Sequence, residues 1–377
     1  MSKEVVLKLL DEYLHEDMTY NSGRILGSMC TSPHPFAKMV YVKSMEKNLG
    51  DLRLFPGTAK LEQEAISMMG SLLSKPDALG YIVSGGTEAN LTAMRVARNL
   101  LKKDRPEVIV PKSAHFSFDK AADLLGLKLI KVGLNKHYQI DIKAVKDVIT
   151  KDTVAIVGVA GSTELGVVDP ISILSDMALK HGIYLHVDAS FGGFVLPFLK
   201  DIGYNSPEFD FKLKGVCSIT VDPHKMGLAP IPAGGILFRD SDVIRTVSVM
   251  APYLSLGGGT QYTISGTRSG ASAVAVWALL KHMGKKGYQK VVKRCMDLTH
   301  LVVKEVERSK KVYLVINPTM NVLGLASKSI EPKRLADKLK QRGWAISFTQ
   351  KYIRLVVMPN LKKKHIMQFL SDLEELA

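Results

Sequence analysis

The sequence predicts an α/β protein with a mostly parallel sheet in a large domain and a small α+β domain at the C-terminus. Between about residues 79 and 240, short apolar runs rich in β-branched residues alternate with helical patterns. This alternation is typical of a parallel sheet covered by helices on both faces. After two long helical stretches the pattern changes to shorter strands and helices. The change predicts a second, smaller domain.

A series of apolar runs predicts the strands of the large sheet: YIVS, EVIVP, KLIKVGL, TVAIVGVAG, IYLHVDAS, VCSITVDPHK and GGILFRD. Three helical patterns lie between them: TEANLTAMRVARNLLKK, SFDKAADLLG and PISILSDMALKHG. In sheets of this kind the ligand binds at the carboxyl ends of the strands. The residues that directly follow each run are therefore the candidate site residues.

The C-terminal third begins with GASAVAVWALLKHMG from about Gly270, and a second helical pattern, YQKVVKRCMDLTHLVVKEVERS, follows it. Next come VYLVIN, NVLGLAS, PKRLADKLKQRG, WAISF, YIRLVVMP and a final helix. We therefore expect four segments: an N-terminal arm (1–50), a large domain (51–252), an active-site loop and linker (253–270) and a small domain (271–377). The glycines from Gly257 to Gly259 are the expected hinge of a covering loop.

The charge balance raises the hypothesis of nucleic-acid binding, because the net charge is +15, from 51 Lys and Arg against 36 Asp and Glu. The basic residues are scattered, however. The densest runs, LKKKH and GKKGYQKVVKR, contain no known nucleic-acid motif and no interleaved aromatic residues. Nucleic acid is therefore not the favoured partner.

Targeting and metal signals are also missing from the sequence. No apolar run reaches the roughly 18 residues that span a bilayer, and MSKEVVLKLLDEYLHED resembles an amphipathic helix rather than a signal peptide. We expect a cytoplasmic protein. Cys30, Cys217 and Cys295 form no CxxC pair, which excludes a disulfide framework and a zinc knuckle, and no metal is expected.

The first predicted strand is followed by SGGTEANLTA, where Ser84, Gly85, Gly86 and Thr87 open a helix. Free backbone amides, two glycines that allow close approach and two hydroxyls make an anion site at the helix N-terminus. The stretch is neither GxGxxG nor a P-loop, because the P-loop lysine is missing. An ordinary glycine-rich turn capped by threonine is the alternative.

Three further strand ends carry side chains that can take part in catalysis or cofactor binding. His115 follows EVIVP, Asp188 ends the run in HVDASFGGF, and Lys225 ends DPHK beside His224. Each also has a plain structural explanation: a hydrogen-bonded histidine, a helix N-cap and a surface lysine. A buried carboxylate nevertheless needs a cation or a shifted pKa.

Together these ends supply an anion cradle, a flat imidazole, a carboxylate and an amine, which is the set that pyridoxal 5′-phosphate (PLP) requires. Lys225 would form the Schiff base with its aldehyde. Asp188 would pair with the pyridine nitrogen and keep the ring able to accept electrons. His115 would lie on one face of the ring, and the small Ala189 would pack on the other.

The motifs SGGTEAN, SAHFSFDKA, AGSTELGVVDP, HVDASFGGF, DPHKMG and GTRSG together resemble the archaeal branch of the group II PLP-dependent amino-acid decarboxylases. These are the L-tyrosine/L-aspartate decarboxylases associated with methanofuran and coenzyme A synthesis, and the resemblance covers nearly the whole chain. It implies an aspartate-aminotransferase-like (fold-type I) large domain and a small C-terminal domain. It also implies a homodimer with active sites at the subunit interface and decarboxylation of an L-amino acid to its amine.

The resemblance also implies individual roles. Lys225 carries the cofactor, Asp188 pairs with the ring nitrogen, and His115 stacks on the ring. Phosphate contacts fall on the glycine-loop residues and their neighbour: Gly85, Gly86, Thr87 and His224. Thr163 would lie near the ring hydroxyl or Asp188. Arg354 in YIRLVV would meet a substrate carboxylate, and a surface arginine on a strand is its alternative.

One region departs from the larger animal and plant relatives, whose mobile loop carries a catalytic tyrosine. The corresponding stretch, PYLSLGGGTQYTISGTRSG, is shorter. Tyr262 is a candidate proton donor, with His115 and Lys225 as alternatives.

The sequence leaves the amino-acid substrate open. DLRLFPGT offers Arg53 and Phe55, and His34 and Arg268 add further cations. Tyrosine needs an apolar slot with a polar end, whereas aspartate needs a second cation. L-Tyrosine is slightly preferred, and L-aspartate is allowed.

Two other functions remain as alternatives. SGTRSG also resembles sphingosine-phosphate lyases, which cleave a carbon–carbon bond and often carry a membrane anchor that is not seen in this sequence. A basic nucleic-acid-binding protein on a retained enzyme fold is the other alternative. The intact Lys225 and Asp188 argue against it.

Overall fold

The computed structural model describes residues 1–255 and 258–377 of the chain, so the predicted hinge residue Gly257 lies outside the described residues. The helices are α1 Lys3–Leu14, α2 Pro35–Lys43, α3 Pro56–Leu72, α4 Gly86–Leu101, α5 Ser117–Leu125, α6 Ile142–Val148, α7 Ile171–His181, α8 Leu196–Leu199, α9 Ser241–Arg245, α10 Gly270–Arg308, α11 Pro332–Gln341 and α12 Lys363–Leu376.

The strands of the large domain are β1 Leu79–Val83, β2 Glu107–Pro111, β3 Lys128–Val132, β4 Thr153–Val159, β5 Tyr184–Asp188, β6 Val216–Val221 and β7 Gly234–Phe238. A short hairpin contains β8 Val249–Ala251 and β9 Gly259–Gln261. The strands of the small domain are β10 Val312–Leu314, β11 Val322–Ser327, β12 Ser347–Phe348 and β13 Ile353–Val356.

The large sheet contains seven strands in the order β1-β7-β6-β5-β4-β2-β3. Strands β2 to β6 pair in parallel, and β7 runs antiparallel to both β1 and β6. Every residue of β2, β4, β5 and β7 is buried. This is why these strands appear in the sequence as continuous apolar runs rather than as alternating ones. The predicted mostly parallel sheet is confirmed.

The strand order brings the candidate residues to one edge of the sheet. The parallel strands and β1 end at this edge, and β5, which carries Asp188, is the central strand. The antiparallel β7 begins there with Gly234. An added Cβ on Gly234 would lie 2.5 Å from the Cα of Gly85, so only glycine lets β7 start against the loop after β1.

The smaller C-terminal domain contains a four-stranded antiparallel sheet in the order β10-β11-β13-β12. Helices α11 and α12 pack with it around a core that includes Trp344 and Phe369, whose ring centroids lie 5.4 Å apart. The long α10 bends at Gly284, which has φ 54° and ψ −174°, so it consists of the two helices that the sequence predicts. The four segment boundaries remain predictions.

The predicted N-terminal helix is present as α1, but none of its residues is buried. Its apolar side chains are exposed to solvent in the single chain, and Tyr13 is 75% exposed. Within residues 1–255 and 258–377, no helix has both the length and the apolar character needed to cross a membrane.

Candidate active site

A cavity of about 390 Å³ lies at the carboxyl edge of the large sheet. It brings together most of the residues that the sequence predicts for a cofactor: Gly85, Gly86, Thr87, His115, Thr163, Asp188, His224 and Lys225. The predicted loop residue Ser84 also lines it. Other residues complete the wall: Met29, Ser113, Phe116, Val159, Gly161, Ser190, Phe191 and Asp222.

The glycine loop forms one end of this cavity. Helix α4 begins at Gly86 and runs for 16 residues, and no side chain in the described part of the chain caps its N-terminus. Its first backbone N–H groups are therefore available to an anion, which the helix dipole also favours. An added Cβ on Gly86 would lie 2.6 Å from Ser190 Oγ and 2.8 Å from Asp222 Oδ2. The close approach that the sequence predicts for this loop thus requires glycine.

Asp188 ends β5 and is 6% exposed. Its Oδ1 accepts hydrogen bonds from Ser190 Oγ at 2.6 Å and Ser190 N at 3.0 Å, and its Oδ2 accepts one from Asn90 Nδ2 at 2.9 Å. Burial alone would raise the pKa of the Asp188 carboxyl, but these Ser190 bonds and the charge of Lys225 outweigh it, and the pKa is lowered. Asp188 is therefore an ionised, firmly oriented carboxylate.

Lys225 faces a second carboxylate. Its Nζ lies 2.9 Å from Oδ2 of Asp222, which is 1% exposed and precedes it in the same turn. Burial works to lower the pKa of Lys225, but the charges of Asp222 and Asp188 outweigh burial and raise it. Among the described residues, the buried Oδ1 atom of Asp222 has no hydrogen-bond partner. The end of the cavity that holds the amine is thus strongly acidic.

Two histidines border the cavity. The Nδ1 of His115 accepts a hydrogen bond from Ser117 N at 3.2 Å, and burial lowers its pKa, so a neutral, flat imidazole faces the cavity. The Nδ1 of His224 lies 2.6 Å from the carbonyl oxygen of Ala233, and its Nε2 lies 3.9 Å from Asp222 Oδ2. The His224 ring lies beside Gly85, since an added Cβ there would be 3.3 Å from its Cε1.

Ala189 and Arg354 do not line this cavity. Ala189 is fully buried in the core beneath it. The guanidinium of Arg354 donates to the carbonyl oxygens of Thr163, at 2.8 Å, and Gly27, and to Ser347 Oγ at 3.1 Å. Arg354 thus joins the loop after β4 to the N-terminal segment. These contacts use three of the five guanidinium N–H donors, and the buried Nε has no hydrogen-bond partner among the described residues. The substrate role of Arg354 stays a prediction.

The remaining predicted residues also lie outside the cavity lining of the described chain. Arg268 pairs with Glu62 and donates to the carbonyl oxygen of Ile82 at 2.6 Å. Arg53 Nη1 donates to Ser255 O at 2.9 Å, and the ring of Phe55 lies 5.9 Å from Lys47 Nζ. His34 Nδ1 accepts a hydrogen bond from Phe36 N at 3.2 Å, and the carbonyl oxygen of Tyr262 accepts one from Tyr81 OH at 3.1 Å. Their roles toward a substrate stay predictions.

Sequence reasoning missed three polar residues of the site. Asp222 opens the DPHK motif, and Asn90 closes SGGTEAN one turn into α4, so both lie inside segments that attracted attention. Ser190 follows Asp188 by two residues. A polar residue directly after a strand end is the signal that finds Asp222 and Ser190, whereas Asn90 lies seven residues beyond the end of β1 and has no such signal.

The donor set fits PLP. A helix N-terminus with a glycine cradle suits a phosphate, and an ionised carboxylate at the other end suits a pyridinium nitrogen. The amine of Lys225 is held by Asp222 Oδ2, and Asp222 Oδ1, which has no partner among the described residues, leaves an acceptor for a further donor.

A family model described as the pyridoxal-dependent decarboxylase conserved domain matches residues 30–326. The chain belongs to the pyridoxal-dependent decarboxylase family. It is therefore a PLP-dependent amino-acid decarboxylase with the fold-type I architecture of the group II decarboxylases, as the sequence predicts.

Named relatives in archaea match across nearly the whole decarboxylase chain. An L-aspartate decarboxylase of Thermococcus kodakarensis is 52% identical over 376 residues, covering 100% of this chain and 97% of the relative. A probable L-tyrosine/L-aspartate decarboxylase of Methanothermobacter thermautotrophicus is 53% identical over 359 residues, covering 95% and 98%.

Among solved structures, a sphingosine-1-phosphate lyase of Burkholderia pseudomallei has a TM-score of 0.92 and 28% identity, covering 100% of this chain and 90% of the lyase. This explains why one motif resembles those lyases. Identity to the named decarboxylases is nearly twice as high, so carbon–carbon cleavage is not the favoured activity, and neither is nucleic-acid binding on a retained enzyme fold.

Proposed function

We propose that this decarboxylase removes the α-carboxylate of L-aspartate to give β-alanine and carbon dioxide, and that L-tyrosine, giving tyramine, is its second substrate. L-Aspartate is the substrate that the names of the two archaeal relatives share. The proposal therefore reverses the slight preference for tyrosine from the sequence. The resemblance links these amines to coenzyme A and methanofuran synthesis, and the proposed location is the cytoplasm.

The observation that supports this proposal is the cavity in which Lys225, Asp188 and the glycine loop face one another. Lys225 would hold PLP covalently through its ε-amine, and Asp188 would accept the pyridinium N–H. The phosphate would contact Gly85, Gly86 and Thr87, with His224 beside it, and His115 would lie on one face of the ring. Bound PLP supplies the electron sink that decarboxylation needs.

The same residues would handle the proton that replaces the carboxylate. The pKa of Lys225 is raised because Asp222 and Asp188 outweigh the effect of burial, so the amine keeps its proton at neutral pH when it is not bonded to the cofactor. An ammonium group held at this position can deliver a proton to the substrate Cα. His115 and Tyr262 remain the alternative donors.

A homodimer with shared active sites is part of the proposal. Helix α1 leaves its apolar face uncovered, and Phe116, which lines the cavity, is 57% exposed. A second copy that covers these surfaces would exclude water and bring Arg53, Arg268 or Tyr262 toward the site. Mixing a Lys225→Ala chain with an Arg53→Ala chain tests this, because hybrid dimers with one intact shared site should recover activity.

Arg354→Lys is expected to lower activity on both L-aspartate and L-tyrosine and to leave the cofactor absorbance unchanged. Lysine keeps the charge but loses the planar fork that fits a carboxylate. The measurement is steady-state kinetics on both substrates.

Similar losses on both substrates would assign Arg354 to the α-carboxylate, and a loss confined to L-aspartate would assign it to the side-chain carboxylate. Rates like wild type on both would remove Arg354 from the substrate site and leave Arg53, His34 or Arg268, with Phe55 as the apolar wall.

The function is tested by incubating the PLP-loaded enzyme with each of the common L-amino acids and measuring carbon dioxide and amine. We expect the highest kcat/KM for L-aspartate and a measurable rate for L-tyrosine. The absence of carbon dioxide with every amino acid, together with cleavage of a phosphorylated amino alcohol, would contradict the proposal in favour of a carbon–carbon lyase.

A further inference from the structure

Asn90 is 1% exposed and makes every hydrogen bond that its amide can form. Its Nδ2 donates to Asp188 Oδ2 at 2.9 Å and to Ser117 Oγ at 3.0 Å. Its Oδ1 accepts from Thr220 Oγ1 at 2.8 Å and pairs with His186 Nε2 at 3.0 Å. The orientation of the amide is therefore fixed on both sides.

Asp188 determines which way the amide points. An ionised carboxylate only accepts hydrogen bonds, so the NH2 group of Asn90 must face it. His186 lies on the other side of the amide and is fully buried, and burial lowers its pKa although the charge of Asp188 acts in the opposite direction. Its Nε2 lies 3.0 Å from Asn90 Oδ1, and its Nδ1 lies 2.8 Å from Ser218 Oγ.

The position of Asn90 on α4 links two parts of the site. Gly86 and Thr87 open this helix at the anion cradle, and Asn90 lies one turn further along. One rigid helix thus carries both the cradle and a donor to the carboxylate on β5. The direct hydrogen bonds to Asp188 come from Ser190 and Asn90, whereas the amine of Lys225 is bonded to Asp222.

We infer that Asn90 is a positioning residue that holds the Asp188 carboxylate ionised, directs it at the pyridine nitrogen of PLP and fixes its distance from the phosphate cradle. The inference rests on the role proposed above for Asp188. Its physical basis is that a buried carboxylate stays ionised only when fixed donors replace its lost hydration. Asn90 acts through Asp188 rather than on the substrate.

The test is a double-mutant cycle read out as PLP affinity of the apoprotein, measured by titrating the visible absorbance of the bound cofactor. Asn90→Ala is expected to weaken PLP binding by roughly tenfold to a hundredfold, as expected for a lost hydrogen bond to a charged group. In an Asp188→Ala background the same change should alter affinity by less than about twofold, because the acceptor is gone.

Thr92→Val is the matched control, because Thr92 is fully buried on the same helix, donates to the carbonyl oxygen of Glu88 at 2.8 Å and lies outside the cavity lining. It should leave PLP affinity unchanged. Equal weakening by Asn90→Ala in both backgrounds would reveal a purely structural role and overturn the inference. If Asn90→Ala binds PLP with wild-type affinity while Asp188→Ala binds it weakly, the inference about Asn90 is overturned and the proposed role of Asp188 stands. Wild-type affinity of Asp188→Ala would overturn the proposed role of Asp188 as well.

Asn90→Asp keeps the shape and provides a second test if the alanine variant does not fold. It sets a carboxylate oxygen against Asp188, which His186, His115 and Lys225 also face. When two carboxylates lie side by side, the pKa of one of them is strongly raised. The absorbance of the bound cofactor should then change with pH where that of the wild type is constant. A pH-independent spectrum with wild-type affinity would contradict the inference.

Discussion

Lys225→Ala is expected to reduce turnover to less than roughly a thousandth of the wild-type rate. The change removes both the covalent attachment of PLP and the proposed proton donor, and proton transfer by a positioned group alone contributes about 10² to 10⁴-fold. The cofactor should still bind without forming an adduct that borohydride reduces. Carbon dioxide release and absorbance after borohydride treatment measure the two effects.

Lys225→Arg is the control for folding. Alanine leaves the buried Asp222 without its cation, and removal of one partner of a buried pair destabilises a protein by about 3–5 kcal/mol. Arginine keeps a cation against Asp222 but forms no Schiff base with an aldehyde. It should unfold at a temperature near that of the wild type and still lack turnover. Substantial activity in either variant would exclude Lys225 as the cofactor-binding residue.

Asp188→Asn should raise the activation barrier and weaken PLP binding while the fold is retained. Asparagine keeps the shape of the side chain but removes the charge that would keep the pyridine nitrogen protonated. Loss of one partner from a buried charged pair costs roughly 2–5 kcal/mol. At about 1.4 kcal/mol per factor of ten, the rate should fall by about thirtyfold to a few thousandfold. Single-turnover decarboxylation and PLP titration measure the two losses.

Asp169→Asn is the matched control for neutralising a buried carboxylate. Asp169 is 3% exposed, accepts hydrogen bonds from the backbone N–H groups of Ile140 and Val159, and lies outside the cavity lining. It should affect stability and leave PLP affinity unchanged. Near-normal activity of Asp188→Asn would contradict the pairing of Asp188 with the pyridine nitrogen. Asp188 would then only stabilise the local turn through its hydrogen bonds to Ser190.

The sequence predicts the large sheet well because its strands are buried on both faces. β4 and β5 are wholly buried, so their sequences lack the alternating polar residues of a half-exposed strand, although β5 contains the buried His186. Since parallel strands end at a common edge, Asp188, His115 and Lys225 follow from the strand ends alone. The phosphate loop is equally local, because helix α4 starts directly after β1.

Contacts between distant segments could not be predicted in this way. Arg268 and Glu62 are 206 residues apart, and Arg354 reaches Thr163 across 191 residues. In the sequence, both arginines resemble cations available to a substrate, whereas in the folded chain both are engaged. Asn90 was missed for the same reason, because its partner Asp188 is 98 residues away.

The central claim is that Lys225 carries PLP in the cavity shared with Asp188 and the glycine loop. The most direct test reduces the PLP-loaded wild-type enzyme with borohydride, digests it and locates the pyridoxyl group by mass spectrometry. We predict a single modified peptide that contains DPHKMG with the added mass on Lys225, and no modified peptide after prior incubation of the Lys225→Arg variant with PLP. A pyridoxyl group on another lysine, at the same stoichiometry in both proteins, would contradict the account.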